Sequence, residues 1–186
     1  MPGISSVTVY CGSANGSDPG YVDLARRLGK TIAKRGWRTV YGGGNVGLMG
    51  QLATSAHESG GAVLGVMPHF LRELEGVLHG IENRYTDNMH QRKQALLDEA
   101  DGLVVLPGGI GTLEEAVETL SWAKLSLHRK PMAFLSEDNY WAPFFNLIDH
   151  MIDGGFLPDS FRQLMADTNS PDAALDALVE RAIVLD

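Results

Sequence analysis

Short runs of β-branched or apolar residues recur along the chain at Val7 to Tyr10, Thr39 to Tyr41, Ala62 to Met67, Leu103 to Leu106 and Met132 to Leu135. Most are separated by longer stretches with helical periodicity. That alternation predicts an α/β fold, a Rossmann-like parallel sheet with helices on both faces. Helix starts are readable too. Asp18 is a predicted N-cap with Pro19 at the first helical position, and Val22, Ala25, Leu28 and Ile32 follow on one face until Gly36 ends the helix. Ser170 and Pro171 repeat the signal ahead of Leu175, Leu178, Val179 and Ala182, which predicts a terminal helix. Between Pro68 and Asn88 the pattern is weak, with Arg72, Glu73, Glu75 and Glu82 mixed with Gly76 and Gly80. An irregular stretch is expected there, either a cover over a site or a solvated excursion.

Bulk properties narrow the class. A chain of 186 residues predicts a single domain spanning 1–186. Its 44% hydrophobic and 20% charged residues suit a globular protein, and its formal charge of −8 makes polymeric nucleic acid a poor partner. Cys11 is the one cysteine, which excludes an intramolecular disulfide. The opening Met-Pro-Gly-Ile-Ser-Ser has neither a basic nor a long apolar region, and no apolar run reaches the ~18 residues of a membrane span. A cytoplasmic location without membrane attachment is expected.

Three predicted strands run into glycine-rich turns: Cys11 to Gly16, Gly42 to Gly47, and Pro107 to Thr112. Ligands of open parallel sheets bind beyond the carboxyl ends of the strands, where glycine lets amides approach and a helix start favours an anion. One such turn can exist only to allow positive φ, but three together point to a phosphorylated ligand, with Ser13, Gly43, Gly44, Gly108 and Gly109 as candidate contacts. The second turn formally spells Gly-x-Gly-x-x-Gly. It follows the second predicted strand, however, and no acidic residue stands about twenty positions beyond it, which disfavours a dinucleotide. The P-loop lysine signature is absent.

The candidate chemistry lies around the third turn. Helical spacing predicts a buried stripe of Leu113, Ala116, Val117, Leu120 and Leu127, with Glu115 and Glu118 off it. Thr112 and Glu115 also spell a capping box, a purely structural alternative. Because the helix opens from Gly108 to Gly111, Glu115 is expected within one turn of a bound phosphate, facing the cleft. Upstream, Met89-His90-Gln91-Arg92-Lys93 starts another helix on which Arg92 shares a face with Met89 and Leu96. An inward-facing cation needs a partner: either a structural carboxylate, or a ligand anion or Glu115 in the cleft. The histidines show no metal-ligand spacing, so no metal is expected. Cys11 reads as a buried small residue, and Trp122, Trp141, Phe144 and Phe145 as packing or subunit contacts.

With Tyr10-Cys11-Gly12-Ser13, Tyr41-Gly42-Gly43-Gly44-x-x-Gly47-Leu48-Met49-Gly50, Met89-His90-x-Arg92-Lys93 and Pro107-Gly108-Gly109-x-Gly111-Thr112-x-x-Glu115, the chain resembles the Lonely Guy family of cytokinin riboside 5′-monophosphate phosphoribohydrolases, many of which carry an older lysine decarboxylase label. The likeness runs from the first strand to about Phe156. It implies hydrolysis of the N-glycosidic bond of a purine nucleoside 5′-monophosphate, without a cofactor, by a homodimer. It places the catalytic arginine and glutamate on Arg92 and Glu115. Substrate contacts fall on Met89, Lys93, Gly109, Ile110, Gly111, Thr112 and Glu114, with Glu73 matching a loop glutamate and Ser121 standing for a usual threonine. Ala14, Thr54, Ile110 and Lys124 replace a usual serine, aspartate, tyrosine and glutamine.

Glycosidic cleavage passes through an oxocarbenium-like state that a carboxylate can stabilise while water attacks. A position in the first helical turn is expected to keep Glu115 ionised, with a bound phosphate opposing. Arg92 would orient the nucleotide or stabilise charge. Two rivals remain. One is a non-catalytic nucleotide or molybdenum-cofactor carrier of the same fold. The other is a pyridoxal phosphate decarboxylase, for which no Schiff-base lysine is identifiable among Lys30, Lys34, Lys93, Lys124 and Lys130.

Overall fold

The computed structural model describes residues 3–185. Seven strands, β1 Ser6–Tyr10, β2 Arg38–Tyr41, β3 Val63–Pro68, β4 Glu82–Thr86, β5 Gly102–Val105, β6 Met132–Leu135 and β7 Met165–Thr168, form one sheet in the order β4-β3-β2-β1-β5-β6-β7. Every neighbouring pair is parallel. The helices are α1 Pro19–Lys34, α2 Gly47–Glu58, α3 Arg72–Glu75, α4 Met89–Asp98, α5 Ile110–Lys124, α6 Ala142–Asp153 and α7 Pro171–Leu185.

Side-chain alternation along the strands divides the core in two. Val7, Val9, Val104, Leu106 and Ala133 pack under α1, α2 and α7, whereas Tyr10, Leu103, Val105 and Phe134 pack under α4, α5 and α6. Both faces are therefore dry, as the apolar runs predicted. On the first face α1 and α2 approach closely at Gly29, where an added Cβ would lie 2.4 Å from the carbonyl oxygen of Leu52. On the second, Phe134 stacks against Phe144 and meets Trp141 and Phe145 edge-on, so these aromatic residues build core.

The start of α1 follows the sequence reading: Asp18 is the N-cap and accepts from the Gly20 amide, and Gly36 takes φ 72° just beyond the end. The stretch between Pro68 and Asn88 does not. It contains a 3-10 turn at His69–Leu71, the single turn α3, and the edge strand β4, paired in parallel with β3. Strand β7 is a second element absent from the expected five. The α5 stripe is also revised. Thr112, Ala116, Thr119 and Leu120 are its buried residues, while Val117 and, beyond the helix end, Leu127 are exposed. Similarly, Val179 on α7 is partly exposed beside the fully buried Leu175 and Leu178.

Strands β1 to β4 step outward one way and β5 to β7 the other, so the sheet changes direction between β1 and β5. Crossovers on the two sides of such a point leave opposite faces and open a crevice above the carboxyl ends. Here Leu106 donates to the Tyr10 carbonyl at 2.9 Å and Gly12 donates to the Pro107 carbonyl at 3.1 Å. These bonds tie the first and third glycine turns together at the floor of the crevice.

Candidate active site

A cavity of about 290 Å³ occupies that crevice, lined by Ser13 and Gly42, by Met49 and Glu75, by Arg92, and by Gly109 to Thr112 with Glu115. Size does not single it out, since a cavity of about 480 Å³ lies beside Lys124 and Arg181. Its chemistry does. The helix α5 opens from Gly109 as N-cap with no side chain bonded to its first amides. The first N–H groups of any helix have no partner within it, so here they are available to an anion. Gly109 and Gly111 have no neighbour within 4 Å of an added Cβ, and neither adopts positive φ. The fold does not require glycine at either place, whereas a ligand resting against the backbone does.

This geometry removes the capping box. Because the helix starts at Ile110, Thr112 is its third residue and Glu115 lies in the second turn. The hydroxyl of Thr112 instead sits against Gly108, where an added Cβ would come within 2.1 Å of it.

Arg92 enters from α4, whose N-cap Asn88 accepts from the Gln91 amide at 2.9 Å. It is 7% exposed. Its Nε donates to the Val66 carbonyl at 3.2 Å and its Nη2 to the Gly42 carbonyl at 3.1 Å. Nη1 lies 3.5 Å from Oε1 of Glu115. Of the two partners left open by the sequence, the structure therefore selects Glu115. Gly42 makes the arrangement possible, since a Cβ there would stand 2.2 Å from Nη2.

The Glu115 side chain is only 11% exposed. Burial, partly countered by Arg92, pushes its carboxyl from the ordinary 4.5 up to about 7. The sequence-based expectation that the helix start favours the ionised form is corrected: desolvation outweighs the guanidinium and raises the carboxyl instead. A carboxyl poised near neutrality can both accept and return a proton.

Other candidates separate. Ser13, Gly109, Ile110, Gly111 and Thr112 line the cavity, whereas Gly43 and Gly44 are buried behind Gly42. Gly44 leaves room for Glu75, whose Oε2 would lie 2.7 Å from a Cβ at that glycine. Glu75, not Glu73, reaches the cavity, and its buried Oε2 has no hydrogen-bond partner. The signal for it was the neighbouring acid two residues earlier. Gly108 faces an adjoining chamber of about 350 Å³, where Tyr140 donates to its carbonyl at 2.7 Å. Met89 is half-buried with its sulfur 4.0 Å from Nη1 of Arg92. Lys93 and Glu114 pair with each other at 2.6 Å, and Ser121 is exposed on α5; none of the three lines the cavity. Cys11 lines it but is buried, and burial raises its thiol far above the usual range, so it is not a thiolate nucleophile.

Replacing Gly109 with valine tests the open backbone. The fold has room for it, so thermal stability should stay within a few degrees of the parent, while affinity for a phosphorylated ligand falls more than about tenfold as the amides are covered. Equal affinity measured by calorimetry would remove this turn from the site.

A parallel sheet whose switch-point cleft joins uncapped helix amides to a buried arginine–glutamate pair defines an α/β protein of the Rossmann-like class. The family described as possible lysine decarboxylase matches residues 49–178. The chain is 42% identical over 161 residues to the cytokinin riboside 5′-monophosphate phosphoribohydrolase LOG of Oryza sativa subsp. japonica, covering 86% of this chain and 66% of that protein. It is 39% identical over 179 residues to the cytokinin riboside 5′-monophosphate phosphoribohydrolase of Rhodococcoides fascians, covering 95% and 90%. The chain belongs to this phosphoribohydrolase family. Among solved structures, the molybdenum cofactor carrier protein of Chlamydomonas reinhardtii shares the fold, with a TM-score of 0.72 and 23% identity over 96% of this chain and 98% of that one. Among the described residues no helix is long and apolar enough to cross a membrane.

Proposed function

We propose that the chain is a one-domain N-glycosidic hydrolase that cleaves purine nucleoside 5′-monophosphates of the cytokinin type into free base and ribose 5-phosphate. The observation that carries this reading is Glu115, buried beside Arg92 with its carboxyl raised to about 7, one turn beyond uncapped helix amides. Amides of Gly109 to Thr112 hold the 5′-phosphate, with Ser13 and Ile110 beside it. Glu75 takes the place expected of Glu73 and offers its unpartnered oxygen to substrate hydroxyls. As the bond from the anomeric carbon to the base nitrogen breaks, Glu115 stabilises the positive charge on the sugar and takes a proton from the attacking water. The departing base, which carries away the electron pair of the broken bond, receives that same proton back from Glu115, and Arg92, which keeps its own, fixes Glu115 and the nucleotide.

The reading includes a cytoplasmic homodimer. Exposed Ile110, Val117, Leu125 and Leu127 on and just after α5 support a subunit contact, and the free Cys11 suits a reducing compartment. A carrier of the same fold needs the cavity and the amides but has no use for a buried carboxyl tuned to neutrality. A pyridoxal phosphate enzyme needs a lysine in the cleft, and none of the described lining residues is one.

The test is incubation of purified protein with adenosine monophosphate, its N6-prenylated form and the matching nucleosides. Free base and ribose 5-phosphate are expected from the nucleotides, with nucleosides at least about a hundredfold poorer in kcat/KM, since they forgo charge-assisted contacts. Nucleotide binding without product would favour the carrier.

A further inference from the structure

Lys93 follows Arg92 on α4, yet its ammonium turns away from the cavity. It lies 2.6 Å from Glu114 and 2.9 Å from Glu118, one turn apart on α5, and its side chain is only 14% exposed. Three charges held this closely, with the cation largely out of water, exceed what a solvated surface pair provides. Glu115 sits between the two carboxylates in sequence, so the clamp joins the two helices that bear the catalytic pair.

We propose that Lys93 is a positioning residue that straps α4 to α5 through Glu114 and Glu118, holds Arg92 in register with Glu115, and neutralises the carboxylate next to Glu115. The inference rests on the hydrolase reading for its kinetic consequences but not for its structural ones. Glu115 is faced by Arg92 and Lys93 from α4, by Glu114 of its own helix, by Glu75 from α3, and by Tyr10 and Cys11 from β1 and its end. Of these, the Glu75 and Glu114 carboxylates disfavour a charged Glu115, and Arg92 and Lys93 favour it. Burial works against the charge on Lys93, but its two hydrogen-bonded carboxylates raise its pKa, so the lysine stays charged. Removing the lysine unbalances the set in one direction.

The experiment follows the Glu115 carboxyl by carbon-13 NMR titration of the free protein, with kcat and KM measured in parallel from pH 6 to 9. Lys93→Met should raise the titration midpoint above about 7, lower kcat roughly five- to tenfold at pH 7, and recover most of it at pH 9. Lys93→Arg should behave like the parent. Glu114→Gln, which leaves Lys93 paired with Glu118, should lower the midpoint, and Lys93→Met combined with Glu114→Gln should return it towards the parent value. An unmoved midpoint in Lys93→Met or in Glu114→Gln overturns the proposal. So does a rise confined to KM, which would make Lys93 a substrate contact. If the parent hydrolyses nothing, the hydrolase reading fails while the titrations still decide on the clamp.

Discussion

Glu115→Gln is expected to bind nucleotide within a few-fold of the parent, turn it over on the order of 10²–10⁴ times more slowly, and gain stability above pH 7. The gain follows from the sign of the pKa shift. In the folded chain the carboxyl is raised from 4.5 to about 7, so between those values the folded state binds a proton that the unfolded state releases. Stability from this group is full below the unfolded value and is lost as pH rises through the folded one, a loss on the order of 3 kcal/mol by pH 8. Glutamine has no proton to release and avoids that loss. Urea unfolding at pH 5 and pH 8 should show the parent weakening relative to the variant, while kcat/KM of the parent falls as pH drops below about 7. Near-normal turnover by the variant would remove Glu115 from the mechanism.

Arg92→Leu should be the most damaging change to both activity and stability. It strands the carbonyls of Val66 and Gly42 and takes the counter-ion from Glu115. Breaking a buried pair typically costs about 3–5 kcal/mol when the survivor must stay charged. Here Glu115 can escape by taking up a proton, so the expected loss at pH 7 is smaller, about 2–3 kcal/mol, mostly from the two orphaned acceptors. Activity has no such escape: a protonated Glu115 cannot receive a proton from water, and turnover should fall at least about a thousandfold. Denaturant unfolding and single-turnover assays check the two parts. A variant that keeps the parent's turnover would show that the guanidinium has no chemical part.

The central strands were legible because both of their faces are covered, so Val7 to Tyr10 and Leu103 to Leu106 are nearly continuous apolar runs. Strand β4, Glu-Asn-Arg-Tyr-Thr, lies at the sheet edge and is largely solvated, so it has no such run to recognise. Strand β7, at the other edge, is Met-Ala-Asp-Thr, buried only in its first half. Arg92 was legible because helical spacing placed it on the face of Leu96, and an inward cation demands a partner. The capping box offered as the alternative for Thr112 is a local pattern, whereas the helix starts two residues earlier, at Ile110 after Gly109 as N-cap. The neutral-range carboxyl of Glu115 was not legible at all, since desolvation depends on what surrounds a side chain in space. Glu75 reaches the site because the chain turns at Gly76, with φ 65°, and because its carbonyl accepts from the Asn45 amide at 2.9 Å.

Two of the acceptors that orient Arg92 are carbonyl oxygens of the main chain. No exchange of side chains at Val66 can abolish its oxygen, and at position 42 inheritance need only preserve the lack of a side chain. Side chains elsewhere along the cavity can therefore be exchanged while both main-chain anchors of the guanidinium stay in place.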